Sequence, residues 1–237
     1  RVILASSQAV YGEGRYRCSM HGIVFPLQRP TDGLKKNAWD VLCPHHQHRL
    51  CTLTPQWTAK DDPLYPHNAY AMSKRAQEEL ALNLGRRANI PTIALRYSII
   101  QGPRQSPHNP YSGALRQFVR TLLLKKQPVI FEDGEQLRDY VNIHDVVRAN
   151  LLALTDKRMD FEVFNVGGGK EISVNTLYRK VQAALNNDTE ARRSGSFRPG
   201  DTRHIFSSIA KLKSLGWEPK RTVDQSIQEY SEWIKKV

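Results

Sequence analysis

The stretch PHNAYAMSKRAQEEL, residues 66–80, decides how the rest of the chain is interpreted. Tyr70 and Lys74 stand four residues apart, which is about one turn of an α-helix, so their side chains project from the same face. Pro66 and Asn68 provide an entry turn for that helix. The helix also carries an apolar stripe, predicted at Ala76, Leu80 and Leu84. Such a tyrosine–lysine pair is common by chance, so its meaning depends on the surrounding sequence.

Two apolar segments flank this helix. RVILAS, residues 1–6, is a short continuous apolar run that ends in small residues, as a buried parallel strand would. PTIALRYSII, residues 91–100, is a second such run. The helix between them is predicted to end near Gly85. Strand, helix and strand in this order are typical of a parallel α/β unit.

The pattern changes after Gln105. YSGALRQFVRTLLLKK predicts a basic amphipathic helix, and PVIFEDGEQLRDYVNI predicts two strands around an Asp133-Gly134 turn. SVNTLYRKVQAAL predicts a helix that Ser173 caps. The closing helix carries an apolar stripe, predicted at Val223, Ile227, Tyr230 and Ile234.

Composition narrows the class of protein. With 237 residues, of which 40% are hydrophobic, the chain is long enough to bury a core. No apolar run approaches the roughly 20 residues that a membrane-spanning helix needs, so we expect no membrane partner and a cytoplasmic protein. The net charge of +12 favours anionic partners, either nucleic acid, an acidic surface or phosphorylated small molecules.

ASSQAVYG, residues 5–12, places polar side chains where the first predicted strand ends, and ligands of open α/β sheets bind at such ends. Ser7 there, with Tyr70 and Lys74 on the next helix, forms a chemically coherent set. A tyrosine is a poor base, with an ordinary pKa of about 10. A lysine ammonium one turn away favours the tyrosinate by charge proximity. The serine hydroxyl can hold the reacting oxygen of a substrate.

Six motifs that occur in order extend this set. They are SSQAVYG, YAMSK, LRYSIIQGPRQ, EDGEQLRDYVNIHDVV, FNVGGG and RPGDTRHIFSSIAKLKSLGWEP. The chain resembles the extended short-chain dehydrogenase/reductases, in the branch of NAD-dependent nucleotide-sugar epimerases and dehydratases. The resemblance implies that residues 1–104 are the C-terminal half of a Rossmann-like parallel sheet, with a Cys/His-containing insertion at about 13–66. It implies that residues 105–237 form mainly a smaller α+β domain that binds the nucleotide sugar, with some elements returning to the sheet.

The same resemblance implies a role for individual residues. Tyr70 corresponds to the catalytic acid and base, Lys74 to its activator, and Ser7 to the hydroxyl partner of the reaction. Tyr70, Lys74 and Ser6 correspond to residues that contact NAD. Family members often dimerise through a bundle that includes the helix of Tyr70, so a homodimer is expected.

Three further residues correspond to the binding site for the nucleotide-diphosphate sugar, linked to dTDP or UDP. Arg138 and Arg198 match arginines that bind the diphosphate, and two guanidinium groups suit that charge. Asp201 matches a position that contacts the nucleoside ribose. A surface ion pair is the alternative for each arginine.

The two residues after Ser7 distinguish dehydratases from epimerases in this branch of the family. Related dehydratases carry an Asp-Glu pair there to eliminate water, whereas this chain has Gln8 and Ala9, which cannot act as acid or base. C4 epimerisation needs no such pair. The chain is similar to dTDP-L-rhamnose 4-epimerases and, more distantly, to UDP-glucose 4-epimerases. A dehydratase or reductase on the same fold stays as an alternative.

The predicted insertion contains all three cysteines of the chain. CSMH and CPHH give two Cys-x2-His pairs, and Cys18, His21, Cys43 and His46 suit a tetrahedral zinc ion. His45, His48 and Cys51 are alternative ligands. The competing interpretation is three reduced thiols among scattered histidines. A basic zinc-containing module that binds nucleic acid without catalysis is a second function class, although the segment lacks interleaved aromatic and basic residues.

The Gly-x-x-Gly-x-x-Gly turn that cradles the NAD pyrophosphate in this family is absent from the sequence. VGGGKE, residues 166–171, is rich in glycine but matches a later strand of the family. We therefore expect the chain to be a fragment of a longer enzyme, to bind NAD poorly by itself and to be inactive in isolation. RVILAS is then expected at the edge of its sheet.

Overall fold

The computed structural model of the chain describes residues 1–45, 51–108 and 113–236. The strands in these ranges are β1 (Val2–Ser7), β2 (Arg15–Cys18), β3 (Gly22–Val24), β4 (Leu53–Gln56), β5 (Thr92–Tyr97), β6 (Ile99–Gln101), β7 (Val129–Ile130), β8 (Leu137–Asn142), β9 (Val163–Val166), β10 (Glu171–Ser173) and β11 (Arg192–Arg193). The α-helices are α1 (Thr31–Lys35), α2 (Ala69–Arg87), α3 (Ala114–Leu123), α4 (Ile143–Thr155), α5 (Val174–Leu185), α6 (Ala210–Lys213) and α7 (Val223–Ile234).

The predicted parallel α/β unit is confirmed. Strands β1, β5 and β9 form a parallel sheet in that order, with Ser7 opposite Tyr97. Because successive side chains of a strand point to opposite faces, β5 serves two layers. Ile93 and Leu95 pack into a core with α4 and α6, whereas Arg96 bonds to α2. In the described part of the chain β1 has a sheet neighbour on one side alone, which agrees with the expected edge position.

Helix α2 begins as predicted but turns its apolar stripe outward. Asn68 is the N-cap, and its side chain accepts a hydrogen bond from Ala71 N–H at 2.9 Å. Leu80 and Leu84 of the predicted stripe are 63% and 58% exposed. The buried residues of this helix are Ala71, Glu78, Leu82 and Gly85, and a Cβ on Gly85 would lie 2.2 Å from Thr92 Oγ1. The close approach of β5 explains the glycine.

A second core lies beneath helices α3, α5 and α7, and Ile227 and Tyr230 of the predicted closing stripe are fully buried in it. Strands β6, β8 and β10 form a sheet beside this core. The two strands predicted on either side of Asp133-Gly134 are present as β7 and β8, but they do not pair with each other, because β7 pairs with β11 and β8 pairs with β6 and β10. Ser173 caps α5 as predicted, since its Oγ accepts from Thr176 N–H at 3.1 Å.

Residues 13–66, predicted to be irregular, contain a small antiparallel sheet in the order β3-β2-β4. Its strands have three or four residues each, which is too short for an alternating pattern to be recognised in the sequence. Tyr16, Val24 and Val41 form its core together with Cys18 and Cys43. Among the described residues, no helix has the length and apolarity needed to cross a membrane.

Candidate functional site

A cavity of about 580 Å³ opens where the parallel strands end. Ser7, the last residue of β1, and Tyr97, the last residue of β5, line its floor. Asn68, the N-cap of α2, lines one side. Carboxyl ends of parallel strands and a helix N-terminus thus converge on one concave surface, which is the usual place for ligands in this class of fold.

Ser7 has its hydroxyl at the start of a short 3₁₀ helix, Gln8–Tyr11. Its Oγ accepts a hydrogen bond from Ala9 N–H at 3.2 Å. A serine hydroxyl also carries one donor hydrogen, and that bond leaves the hydrogen unused. The structure therefore holds a hydroxyl donor at the floor of the cavity, as the sequence predicts.

Tyr70 and Lys74 lie on the first turns of α2, next to the cavity wall. Lys74 Nζ donates to Ala5 O at 2.9 Å and to Gln77 Oε1 at 3.3 Å, which ties α2 to the end of β1. The same Nζ lies 5.8 Å from the centroid of the Tyr70 ring. Tyr70 is 56% exposed and lies two residues after Asn68, the N-cap residue that lines the cavity. The predicted pair is thus adjacent to the end of β1.

Ser6 points away from this margin. Its hydroxyl donates to the carboxylate of Glu78, and Arg96 donates to the same carboxylate through Nη2 at 2.7 Å. All three side chains are buried between α2 and the sheet. The hydroxyl of Ser6 is thereby engaged, so a contact between this residue and a cofactor would go through its backbone.

The three residues predicted to bind a nucleotide diphosphate line the same cavity. Arg138, on β8, donates to Thr202 O at 2.6 Å and to Arg203 O at 2.9 Å. Arg198 lies over the ring of Phe131, with 5.3 Å between its Cζ and the ring centroid. Asp201 belongs to the same segment as Arg198. The cavity therefore carries two guanidinium groups on the side away from β1.

His67 is a cavity residue that our sequence reasoning missed. Both ring nitrogens are buried and have no hydrogen-bond partner in the described part of the chain. Burial lowers the pKa of His67, and the charge of Arg29 lowers it further. Gly12, at φ +66°, makes room for this ring, since a Cβ there would lie 2.7 Å from Nε2. Its position three residues before Tyr70, at the predicted entry turn, was the available signal.

Carboxylates are scarce in the cavity wall. Gln8, which stands where related dehydratases carry an acidic residue, accepts from Ser207 Oγ at 3.2 Å. Of the described residues that line the cavity, Asp201 is the single acidic one, and it lies beside the arginines. No acidic pair lies beside Ser7 to protonate and deprotonate a sugar.

The VGGG sequence supports a buried aspartate. Asp139 accepts from Ser98 Oγ and from Gly168 N–H, both at 2.8 Å. Burial raises the pKa of Asp139 to about 6. A Cβ on Gly168 would lie 1.9 Å from Tyr140 O, so the glycine permits this close approach. The VGGG turn therefore allows β9 to pack closely against β8 and is not a turn that binds a dinucleotide.

Three of the predicted zinc ligands lie together in the insertion. The ligand atoms of Cys18, His21 and Cys43 are all within 4.8 Å of one another. The fourth predicted ligand, His46, and the alternative ligand His48 lie outside the described residues.

Comparison with known proteins identifies a family that the chain matches. Residues 52–167 match the NAD dependent epimerase/dehydratase family. The dTDP-L-rhamnose 4-epimerase of Burkholderia thailandensis is 32% identical over 234 residues, which is 98% of this chain and 62% of that protein. A putative UDP-glucose 4-epimerase of Methanocaldococcus jannaschii is 35% identical over 176 residues, which is 74% of this chain and 56% of that protein.

A solved structure shows the same fold. The UDP-glucose 4-epimerase of Thermotoga maritima, determined with UDP-glucose, superimposes with a TM-score of 0.77 at 28% identity. The match covers 99% of this chain and 63% of that one. The predicted Rossmann-like α/β fold is confirmed by this likeness. The chain spans less than two thirds of the length of each of these relatives.

Proposed function

The chain belongs to the NAD-dependent epimerase/dehydratase family, and from this premise we propose that it supplies the catalytic residues of a nucleotide-sugar 4-epimerase. The substrate is a hexose linked to UDP or dTDP. One observation carries the proposal: Ser7, Arg138, Arg198 and Asp201 line a single cavity, and Tyr70 and Lys74 lie on the helix whose N-cap, Asn68, lines the same cavity. In this arrangement residues 1–104 serve the cofactor and the reacting carbon, and residues 105–237 mainly hold the nucleotide.

Tyr70 is the proton acceptor for the C4 hydroxyl of the sugar and returns the proton after the sugar has turned over. The Lys74 ammonium lies 5.8 Å from the centroid of the Tyr70 ring, so a positive charge stands close to the proton acceptor. Ser7 donates its unused hydroxyl hydrogen to the same sugar oxygen and holds it in place. The nicotinamide of bound NAD would supply the oxidation and re-reduction of C4, and Tyr70 and Lys74 are the residues that would hold it.

Lys74 also fits the nicotinamide side of NAD. An ammonium group has three donor hydrogens, and two of them are engaged by Ala5 O and Gln77 Oε1. The third is left for a ribose hydroxyl at the end of β1. The 237 residues contain no Gly-x-x-Gly-x-x-Gly turn for the pyrophosphate, so we expect this chain alone to bind NAD poorly and to be inactive in isolation.

Arg138 and Arg198 hold the diphosphate of the substrate. Arg138 is fixed by carbonyl groups of Thr202 and Arg203, so its guanidinium is oriented before the ligand arrives. Arg198 is exposed and rests on Phe131, which leaves its donors available. Asp201, next to them, accepts hydrogen bonds from the ribose hydroxyls. This set neutralises a double negative charge without a metal ion.

Epimerisation explains the cavity wall better than dehydration. Elimination of water from the sugar needs an acid and a base close to the reacting carbon. Beside Ser7 the wall has the amide of Gln8 and the methyl group of Ala9. In C4 epimerisation Tyr70 alone exchanges the proton with the sugar, so the reaction needs no acidic residue in this wall.

Product analysis of the intact protein tests the proposal. Supplied with NAD and UDP- or dTDP-hexoses, the protein is expected to yield the C4 epimer, identified by proton NMR. Tyr70→Phe is expected to lower kcat by at least about a hundredfold, because general acid–base catalysis contributes that much. The control is Tyr65→Phe, an exposed tyrosine that precedes α2. Turnover by Tyr70→Phe equal to that of the control would contradict the role of Tyr70.

A homodimer through α2 is part of the same proposal. The outward face of this helix carries Met72, Leu80 and Leu84, which are all more than half exposed. Apolar side chains in a contiguous row on a surface helix are typical of a contact surface between protein chains. Sedimentation velocity of the intact protein tests this, and Leu80→Glu together with Leu84→Glu should shift a dimer to a monomer. A wild-type monomer at micromolar concentration would contradict it.

A further inference from the structure

The insertion at 13–66 has too small an apolar core to hold its shape alone. Its strands have three or four residues each, and the buried cluster consists of Tyr16, Val24 and Val41 with two cysteines. Small folding units with so little apolar burial usually need a disulfide or a metal ion. The cysteines of this cluster are free thiols in the structure.

The ligand atoms of Cys18, His21 and Cys43 have the spacing of one face of a tetrahedron. Zinc lies about 2.3 Å from sulfur and about 2.0 Å from nitrogen, so a tetrahedral site separates two sulfurs by about 3.8 Å and a sulfur from a nitrogen by about 3.5 Å. The two Sγ atoms here are 3.8 Å apart. His21 Nδ1 lies 3.3 Å from Cys18 Sγ and 3.5 Å from Cys43 Sγ.

Among the described residues, Cys51 is the candidate for the fourth vertex. Its thiol interacts with those of both Cys18 and Cys43, although its sulfur is not within 4.8 Å of all three ligand atoms of the group. The antiparallel register explains this approach, since Cys18 lies opposite Leu53 and Ser19 N–H donates to Thr52 O at 3.0 Å. Strand β4 thereby starts where strand β2 ends, and the loop with Cys43 closes over both.

A backbone hydrogen bond orders the turn that carries two of the ligands. Met20 N–H donates to Cys18 Sγ at 3.4 Å, within the turn that joins Cys18 to His21. The Cys-x2-His spacing places both ligands on that one turn. The His45 ring lies 4.7 Å from the His21 ring, which limits the orientation of the imidazole.

We propose that Cys18, His21, Cys43 and Cys51 bind a structural zinc ion. Four protein ligands leave no open coordination position, so the ion has no part in catalysis. It joins β2, β4 and the Cys43 loop into one unit. A disulfide would need two sulfurs about 2.0 Å apart, whereas those of Cys18 and Cys43 are 3.8 Å apart, the separation that a tetrahedral zinc ion gives.

Metal analysis of the purified protein tests the site without reference to enzyme activity. The expected result is about one zinc per chain by mass spectrometry after dialysis without chelator. Replacement by cobalt should give a thiolate-to-cobalt charge-transfer band and the strong visible bands of a tetrahedral site. The three thiols should resist alkylation until a chelator is added. Wild-type protein without bound metal, and with freely alkylated thiols, would overturn the proposal.

Variants then test the ligand set. Cys51→Ser should weaken zinc binding by more than about a hundredfold, since even residues that only orient a ligand contribute 10- to 100-fold. The matched control is His144→Gln, an exposed histidine at the start of α4. If Cys51→Ser keeps a full zinc equivalent and an unchanged cobalt spectrum, the fourth ligand is a different residue and the assignment of Cys51 is wrong.

Discussion

The parallel sheet and the insertion at 13–66 reach order by different means. The sheet packs on a core of twelve buried apolar residues, which stretches from β1 to the segment after α6. The insertion has a cluster of five, and two of them are cysteines. Apolar burial stabilises a fold in proportion to its area, so the sheet can rely on it and the insertion cannot. Polar and covalent chemistry must then decide the shape of the insertion.

A buried arginine joins the insertion to the segments that carry Glu132 and Asp201. Arg29, from the insertion, forms two hydrogen bonds of 2.9 Å with the carboxylate of Glu132. It also donates to Asp201 O at 3.0 Å and to Trp39 O at 2.8 Å. The segment that carries the proposed ribose contact is therefore held from the insertion. A region without much core of its own thus positions part of the candidate site.

The largest loss of stability in the sheet is expected when a buried ion pair is broken. Glu78 and Arg96 are both buried, and the guanidinium donates to both carboxylate oxygens. Glu78→Gln leaves the Arg96 charge without its partner in a site that water does not reach. We expect the free energy of unfolding to fall by about 3–5 kcal/mol. Urea denaturation followed by circular dichroism measures it.

The neighbouring residue on α2 provides the control. Glu79 pairs with Arg75 at 2.8 Å, and both side chains are largely exposed. Glu79→Gln should change the free energy of unfolding by about 0.3–0.5 kcal/mol, because solvent screens such pairs. Equal costs for the two variants would show that the buried pair does not stabilise the sheet.

Disturbing the contacts of Arg29 with Glu132 and Asp201 should have an intermediate effect. Arg29→Lys keeps the charge but cannot form two parallel bonds with Glu132 while reaching Asp201 O. We expect the segment at Asp201 to loosen and the Kd for UDP or dTDP to rise about tenfold, which is about 1.4 kcal/mol. Isothermal titration calorimetry measures this. Arg17→Lys, at an exposed position of the same insertion, should leave the Kd unchanged; a rise equal to that of Arg29→Lys would argue against the link.

The difference between the parallel sheet and the insertion explains which elements the sequence could predict. Strands β1 and β5 are continuous apolar runs and α2 has a recognisable start, so the order of elements followed from local patterns. Ser7 and Tyr70 lie next to those elements and were found with them. The short strands of the insertion carry no such pattern, and their arrangement depends on contacts between Cys18, Cys43 and Cys51 that lie far apart in sequence.

Two other features have a tertiary origin. Helical spacing predicts the apolar stripe of Leu80 but does not tell whether that stripe faces the core or the solvent. Glu78, which does face the sheet, looks like a solvent residue until Arg96 is placed opposite to it. His67 became a cavity residue through the approach of Gly12, which no local pattern reveals.

The smallest expected effect concerns His204, which contacts Tyr16 of the insertion and Leu137 of β8. Its ring lies 6.3 Å from that of Tyr16, edge on, and Nδ1 accepts from Leu137 N–H at 3.1 Å. Burial, together with the charges of Arg203 and Arg138, lowers its pKa from 6.5 to about 3. The folded chain therefore keeps His204 neutral where the unfolded chain takes up a proton. Its contribution to the free energy of unfolding is complete above pH 6.5 and is lost as pH falls toward 3.

His204→Asn isolates this contribution, because the Asn carbonyl can still accept from Leu137 N–H while no longer titrating. At about pH 7.5 the variant should be less stable by under about 1 kcal/mol. At about pH 5.5, below the ordinary pKa of histidine, the gap should shrink or reverse, since only the wild type is penalised there. Other buried groups, such as Asp139, titrate in both proteins and cancel in the difference. A gap that is equal at both pH values in urea denaturation would mean that His204 is not held neutral between the two regions.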